Sequence, residues 1–209
     1  MELWLVRHGE TEKNRAGVWQ GQLDVPLSEV GRRQIERLAA RLRRWPTRFD
    51  RLYTSDLSRA RESAEILSKA LGLRPIADPR LRELCVGELA GKPREAIFER
   101  YAAVMERSRK DPWNTRLPGG ESLSDLRARL EAFLAELPEG RHLVVAHAGV
   151  VRVFVWMALG LESGAPWRLR VPNASLSRVV FPDGQAGPVG DACHLEGGEG
   201  GPDDPGPAA

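Results

Sequence analysis

From its first residue to about residue 77 the chain alternates short apolar runs with longer segments of helical period, and few folds accept that pattern. Leu3 to Val6 is such a run, of the length a buried strand uses. From Ser28 to Trp45 the apolar residues Ile35, Leu38, Ala39, Leu42 and Trp45 share one helical face, with Ser28 as N-cap and Pro46 as stop. Arg51 to Ser55 reads as a second strand, Ser58 to Leu71 as a helix closed by Gly72, and Arg74 to Ala77 as a weak third strand. Parallel strands need crossover helices, so this β-α-β-α-β order predicts an α/β protein. Its architecture is a three-layer α/β/α sandwich around a mostly parallel sheet.

Farther along, Glu12 to Leu27 is a polar connection, long enough to be functional. Arg80 to Gly91 has no clean period and reads as an irregular loop. The spacing predicts one helix from Pro93 to about Arg107, another from Ser122 or Ser124 to Leu137, and an apolar helix from Val150 to Leu159. His142 to Ala146 is the plainest buried strand. Ala174 to Phe181 is expected at the sheet edge, where it could pair across a homodimer. Residues 1–182 then form the domain, and the Gly/Pro/Asp-rich stretch 183–209, poor in apolar surface, is expected to be a disordered tail.

At 209 residues, 42% hydrophobic and 29% charged, the chain suits one soluble domain with a sizeable core. The net charge is only +2 and the arginines are dispersed along helical segments, so nothing calls for nucleic acid. No uncharged apolar stretch approaches the roughly 18 residues of a membrane span, and no leader pattern opens the chain, so no membrane partner is expected. Cys85 and Cys193 are far apart and form no CxxC, which fits a reducing cytoplasm.

Chemistry gathers at strand ends. Leu3 to Val6 runs into Arg7, His8 and Gly9, and Leu143 to Ala146 runs into His147, Ala148 and Gly149. Parallel strands put both ends on one edge of the sheet, the edge where open α/β sheets bind ligands. Arg59, just after the second strand and near a helix start whose N–H groups suit an anion, belongs to the same edge. Each alone is an ordinary surface arginine or loop histidine. Two arginines, two histidines and a helix N-terminus together describe a phosphate site.

The run Arg7-His8-Gly9-Glu10-Thr11 resembles the signature of the histidine phosphatase superfamily, the phosphoglycerate mutase-like proteins. Five further motifs follow in the family's order: Asn14 with Gln20-Gly21 and Asp24-x-Pro26-Leu27; Ser55-Asp56-Leu57-Ser58-Arg59-Ala60; Arg82-Glu83-Leu84 with Gly87 and Gly91; Pro118-Gly119-Gly120-Glu121-Ser122; and His147-Ala148-Gly149. The resemblance covers about residues 1–181 and implies a phosphoglycerate mutase-like fold of the short phosphatase branch. It implies a metal-independent phosphomonoesterase, with no cofactor, acting on a small-molecule phosphate ester. His8 would be the nucleophile, its other ring nitrogen donating to an acceptor that fixes the tautomer. Arg7, Arg59, His147 and Asn14, with the loop at Gln20 and Gly21 and the main chain at Ala148, would bind the phosphoryl group. Glu83 would be the general acid and base and is expected to be partly buried; Glu88 is the nearby competitor.

Three other readings share these residues. A phosphoglycerate mutase would use the same phosphohistidine, but the Gly87 to Pro118 region is short and mixed in charge for a lid that retains a bisphosphate. A metal hydrolase on His8, Glu10, Glu83 and His147 matches no compact ligand motif, and two guanidiniums would repel a cation. A non-enzymatic phosphate-ligand-binding protein would be expected to lack one of the catalytic residues. The substrate stays open among sugar phosphates, phosphoglycerates, nucleotides and phosphorylated ribazole; Trp19, Phe98, Tyr101, Met105 and Trp113 are candidates for an apolar wall beside it.

Overall fold

A computed structural model describes residues 1–182 and 184–196. The elements in chain order are β1 (Glu2–Arg7), α1 (Glu12–Arg15), α2 (Glu29–Arg43), β2 (Arg51–Thr54), α3 (Ser58–Leu71), β3 (Pro75–Ala77), α4 (Arg94–Arg100) and α5 (Ala102–Lys110). They continue with α6 (Leu123–Ala135), β4 (Arg141–Ala146), α7 (Ala148–Ala158), β5 (Leu176–Val180) and β6 (Gln185–Ala186). The strands form one six-stranded sheet in the order β3-β2-β4-β1-β5-β6. β3, β2, β4 and β1 run parallel, and β5 and β6 are antiparallel additions.

The period of two in β1 sorts its side chains between two cores. Leu3 and Leu5 join Val144 and Ala146 of β4 under Leu126, Leu130 and Phe133 of α6 and Val150 and Phe154 of α7. Trp4 and Val6 join Leu143 and Val145 on the other face, under Ile35, Leu38 and Leu42 of α2 and Ala60, Ala64 and Leu67 of α3. Both faces of the sheet are therefore covered, which is the expected α/β/α sandwich. A satellite cluster of Val86, Leu89, Ile97, Met105 and Leu117 carries α4 and α5.

Three expectations need correction. The predicted Pro93–Arg107 helix is two helices, broken at Tyr101 (φ −115°, ψ 25°). No Pro or Gly marks the break; burial of Ile97 and Met105 in one satellite cluster outweighs the continuous period. β5 is not the sheet edge, because the chain turns back after Pro182 and pairs β6 against it. β6 thus already pairs with β5 on the side expected to be free for a homodimer.

The boundary at residue 182 also falls too early. Arg178 N donates to Pro188 O, Leu176 and Asp191 exchange both backbone hydrogen bonds, and Arg41 Nη2 meets Asp191 Oδ2 at 2.6 Å. Backbone pairing and the Arg41–Asp191 ion pair hold this segment, and of its few apolar residues Ala186, Val189 and Leu195 pack against the two cores. The remainder of the predicted tail, residues 197–209, lies outside the described residues, as does Asp183.

Candidate active site

β1 and β4 are neighbours in register, with Arg7 opposite Ala146, so His8 and His147 leave the sheet side by side. The chain after β1 goes to α2 on one face, and the chain after β4 goes to α7 on the other. The crevice between them is a topological switch point. The two imidazole centroids lie 5.1 Å apart, their planes 61° from parallel. Arg7 comes from the end of β1, its Nη1 donating to Val171 O at 2.7 Å. Arg59 comes from the first turn of α3, its Nη1 and Nη2 donating to Leu23 O and Gly21 O, each at 2.7 Å.

The main chain at His8 is held on both sides. His8 N donates to Ala146 O, while His8 O accepts from Ala174 N and from Asn173 Nδ2. A close glycine contact seats the next turn: a Cβ on Gly9 would lie 2.4 Å from Gly31 O, and one on Gly31 would lie 2.1 Å from Glu10 O. Only glycine at both positions lets this loop rest on the start of α2.

His8 Nδ1 lies 2.7 Å from Gly9 O. A carbonyl can only accept, so Nδ1 carries the proton and Nε2 keeps its lone pair. Burial, then the charges of Arg59 and Arg7, hold the His8 pKa well below its usual value, so the ring is neutral at ordinary pH. His147 is held well below its usual value too, by burial first and then by Arg59, and neither of its ring nitrogens has a hydrogen-bond partner among the described residues. Arg59 is 1% exposed, and burial brings its pKa down to about 10, so it remains a cation at neutral pH. A buried pair of guanidiniums beside neutral imidazoles suits an arriving anion.

Glu83 faces the same crevice and is partly buried, as expected. Its Oε1 accepts from Leu84 N at 2.8 Å and its Oε2 from Gly149 N, in the first turn of α7, at 3.1 Å. Arg129 of α6 braces the segment, donating to Glu83 O and Arg80 O and pairing with Glu121, whose Oε2 accepts from Cys85 N. Glu88 is exposed and does not line the crevice. Glu10 is buried with Oε1 accepting from Ser28 Oγ, away from the site. Among the described residues no group of three or more His, Cys, Asp or Glu could hold a metal ion.

Asn14, Gln20, Gly21 and Ala148 all line the crevice with Arg7, His8, Arg59 and Glu83. Asn14 Oδ1 accepts from Thr11 N, Thr11 Oγ1 and Asn173 Nδ2. Gln20 Oε1 accepts from Thr11 Oγ1. The α3 N-terminus does not serve an external anion: Asp24 already occupies it, accepting from Ser58 N at 2.7 Å and Ser58 Oγ at 2.9 Å. The start of α7 opens on the crevice at Ala148 and Gly149, and that of α6, capped by its own Ser122 side chain, lines the same cavity.

The crevice widens into a cavity of about 530 Å³. Of the proposed wall residues Trp19 and Met105 line it, whereas Phe98, Tyr101 and Trp113 do not; Trp113 is buried in the core instead. Trp167, Asn173, Arg129 and Arg152 were not legible as site residues. The one signal was local: Glu121 sits in the Pro118-Gly119-Gly120-Glu121-Ser122 motif, and its partner Arg129 follows two turns into the helix.

A family model described as histidine phosphatase superfamily (branch 1) matches residues 3–189. A probable phosphoglycerate mutase GpmB of Yersinia enterocolitica is 37% identical over 207 residues, 94% of this chain and 95% of that protein. Among solved structures, a mycobacterial glucosyl-3-phosphoglycerate phosphatase in complex with VO3 superposes with a TM-score of 0.74 at 31% identity, covering 85% of this chain and 91% of the other. The protein TTHB049 from Thermus thermophilus has a TM-score of 0.70 at 37% identity, covering 90% and 98%.

Proposed function

This chain belongs to the histidine phosphatase superfamily, and from that premise we propose that it is a phosphomonoesterase acting on a small phosphorylated metabolite through a phosphohistidine. His8 Nε2 attacks phosphorus and the ester P–O bond breaks. The Glu83 carboxyl gives its proton to the leaving alkoxide. Glu83, now a carboxylate, takes a proton from water, which attacks the phosphohistidine; the P–N bond breaks and inorganic phosphate leaves. Arg7, Arg59, His147, the Asn14 amide and the Ala148 N–H bear the charge spread over the equatorial oxygens. The observation that carries this reading is the tautomer of His8. Gly9 O claims the Nδ1 proton and leaves a neutral, unprotonated nitrogen among two buried guanidiniums.

The reading needs no metal, since the guanidiniums supply the charge a cation would. It is tested with p-nitrophenyl phosphate. Turnover survives dialysis against EDTA, is inhibited by vanadate, and is lost in His8→Ala together with acid-labile labelling of the protein by radioactive substrate. Unchanged turnover in His8→Ala overturns it. The reading includes a cytoplasmic setting, consistent with Cys85 and Cys193 as free thiols and with no described helix long and apolar enough to cross a membrane.

The names of the GpmB relatives favour a second reading, a mutase that returns the phosphoryl group to a phosphoglycerate. The α4–α5 segment argues for water as the acceptor. Of its charged residues Arg94 lines the cavity, while Arg109 and Lys110 pair with Glu106. A coupled assay decides: interconversion of 2- and 3-phosphoglycerate faster than phosphate release would establish the mutase.

A further inference from the structure

The cavity is far larger than a phosphoryl group. At about 530 Å³ it falls among sites that enclose a drug-sized ligand, roughly 300–1,000 Å³. Beyond the phosphate end its wall is mainly apolar, formed by Val18, Trp19, Val86, Met105, Leu117 and Trp167. These residues come from separate segments, so the lining is not the outward face of a single helix. The segments that carry the two indoles are held in place. The Trp19 main chain donates to Lys92 O and accepts from Gly91 N, and Trp167, in a single helical turn at Pro166–Arg168, is only 8% exposed.

The cations in this outer part have protein partners. Arg15 pairs with Glu12, the Arg94 guanidinium lies 5.3 Å over the Phe98 ring, and Arg152 Nε donates to Leu169 O at 2.9 Å. A short, doubly anionic ester would leave the apolar wall facing water. A flat apolar group would displace that water, with a gain proportional to the area covered.

We propose, resting on the phosphatase reading above, that the substrate's alcohol portion is a bulky aromatic or largely apolar group. It seats against Trp19, Met105 and Trp167 while its phosphate lies at His8. Met105 is unbranched and polarizable and adapts to a ring edge, and the indoles supply flat faces.

Phosphonates have no hydrolysable ester and read this pocket apart from chemistry. In isothermal titration, 3-phenylpropylphosphonate binds the wild-type protein at least about tenfold tighter than propylphosphonate. Trp19→Ala and Trp167→Leu each reduce that ratio by about threefold or more, with melting curves to show that each variant is folded. Equal affinity for the two phosphonates overturns the inference. So does tighter binding of 3-phosphonopropionate, which carries a carboxylate where the first carries a ring. Both results leave p-nitrophenyl phosphate hydrolysis, and with it the phosphatase reading, standing. Absence of any His8-dependent hydrolysis removes that reading and this inference together.

Discussion

A single methyl group at Gly149 should separate the acid from the rest of the machinery. A Cβ built there lies 2.3 Å from Glu83 Oε1, where ordinary contact begins at 3.4 Å. The carboxylate must therefore retreat by roughly 1 Å, a displacement that can cost about 100-fold at a reacting centre. It also strains the Gly149 N–H to Glu83 Oε2 bond of 3.1 Å. The neighbour that gives way is the end of a side chain, and position 149 is helical, where alanine is favoured over glycine by up to about 1 kcal/mol. Gly149→Ala should therefore keep or raise the melting temperature while kcat on an alkyl phosphate falls about 100-fold, or ~2.7 kcal/mol. A p-nitrophenolate leaving group needs no proton, so a fast first turnover should persist with that ester and be followed by a slow steady state. Burst kinetics on both esters, beside Glu83→Gln, measure this. Alkyl phosphate turnover at the wild-type rate in Gly149→Ala would refute the assignment of Glu83 and the geometry behind it.

Arg59→Lys replaces a fork that holds Gly21 O and Leu23 O with a single ammonium. The expected loss is roughly 100-fold in kcat/KM for any phosphate ester; a loss under threefold would deny Arg59 a place at the phosphate. Gly31→Ala drives a methyl to 2.1 Å from Glu10 O, a backbone atom that cannot swing aside. It should destabilise by about 1–3 kcal/mol in urea melts and lower activity as well, because the strained loop carries His8. Acid should weaken the fold. Buried His8 and His147 stay neutral well below the ordinary 6.5, and His194 is lowered to about 4, mainly by burial. The unfolded chain binds protons at all three as pH falls below 6.5, so their contribution is full above that value. It declines below it by up to ~1.4 kcal/mol per pH unit for each histidine. Urea midpoints that do not fall between pH 7 and 5 would contradict the burial of these rings.

The sequence made the sheet legible because its strands are short apolar runs at fixed spacing from amphipathic helices, and both signals are local. It made His8, His147 and Arg59 legible as neighbours because parallel strands share an edge, an inference that needs topology but no distances. Tyr101 was beyond it, since a helix break without Pro or Gly is decided by what Ile97 and Met105 bury against. β6 was beyond it for another reason: Gly184 to Asp191 is held by hydrogen bonds to β5 that composition does not encode. Asp24 shows the limit within the site. Its side chain caps α3 and so fills an anion position that a sequence leaves open.

The main-chain bonds at His8 have a consequence for how the molecule opens. An amide bonded into β4, with its own carbonyl held by Asn173 and Ala174, exchanges its proton with solvent only when the central sheet comes apart. The Trp19 and Met105 part of the opposite wall rests on the small cluster around Leu89 and should exchange through cheaper, partial openings, while Trp167 belongs to the main core. On the proposed reading, the phosphate and the Trp19–Met105 part of the alcohol wall would thus sit on units of different stability. Substitutions in the second unit can redraw which alcohol is accepted while the first keeps the nucleophile in place.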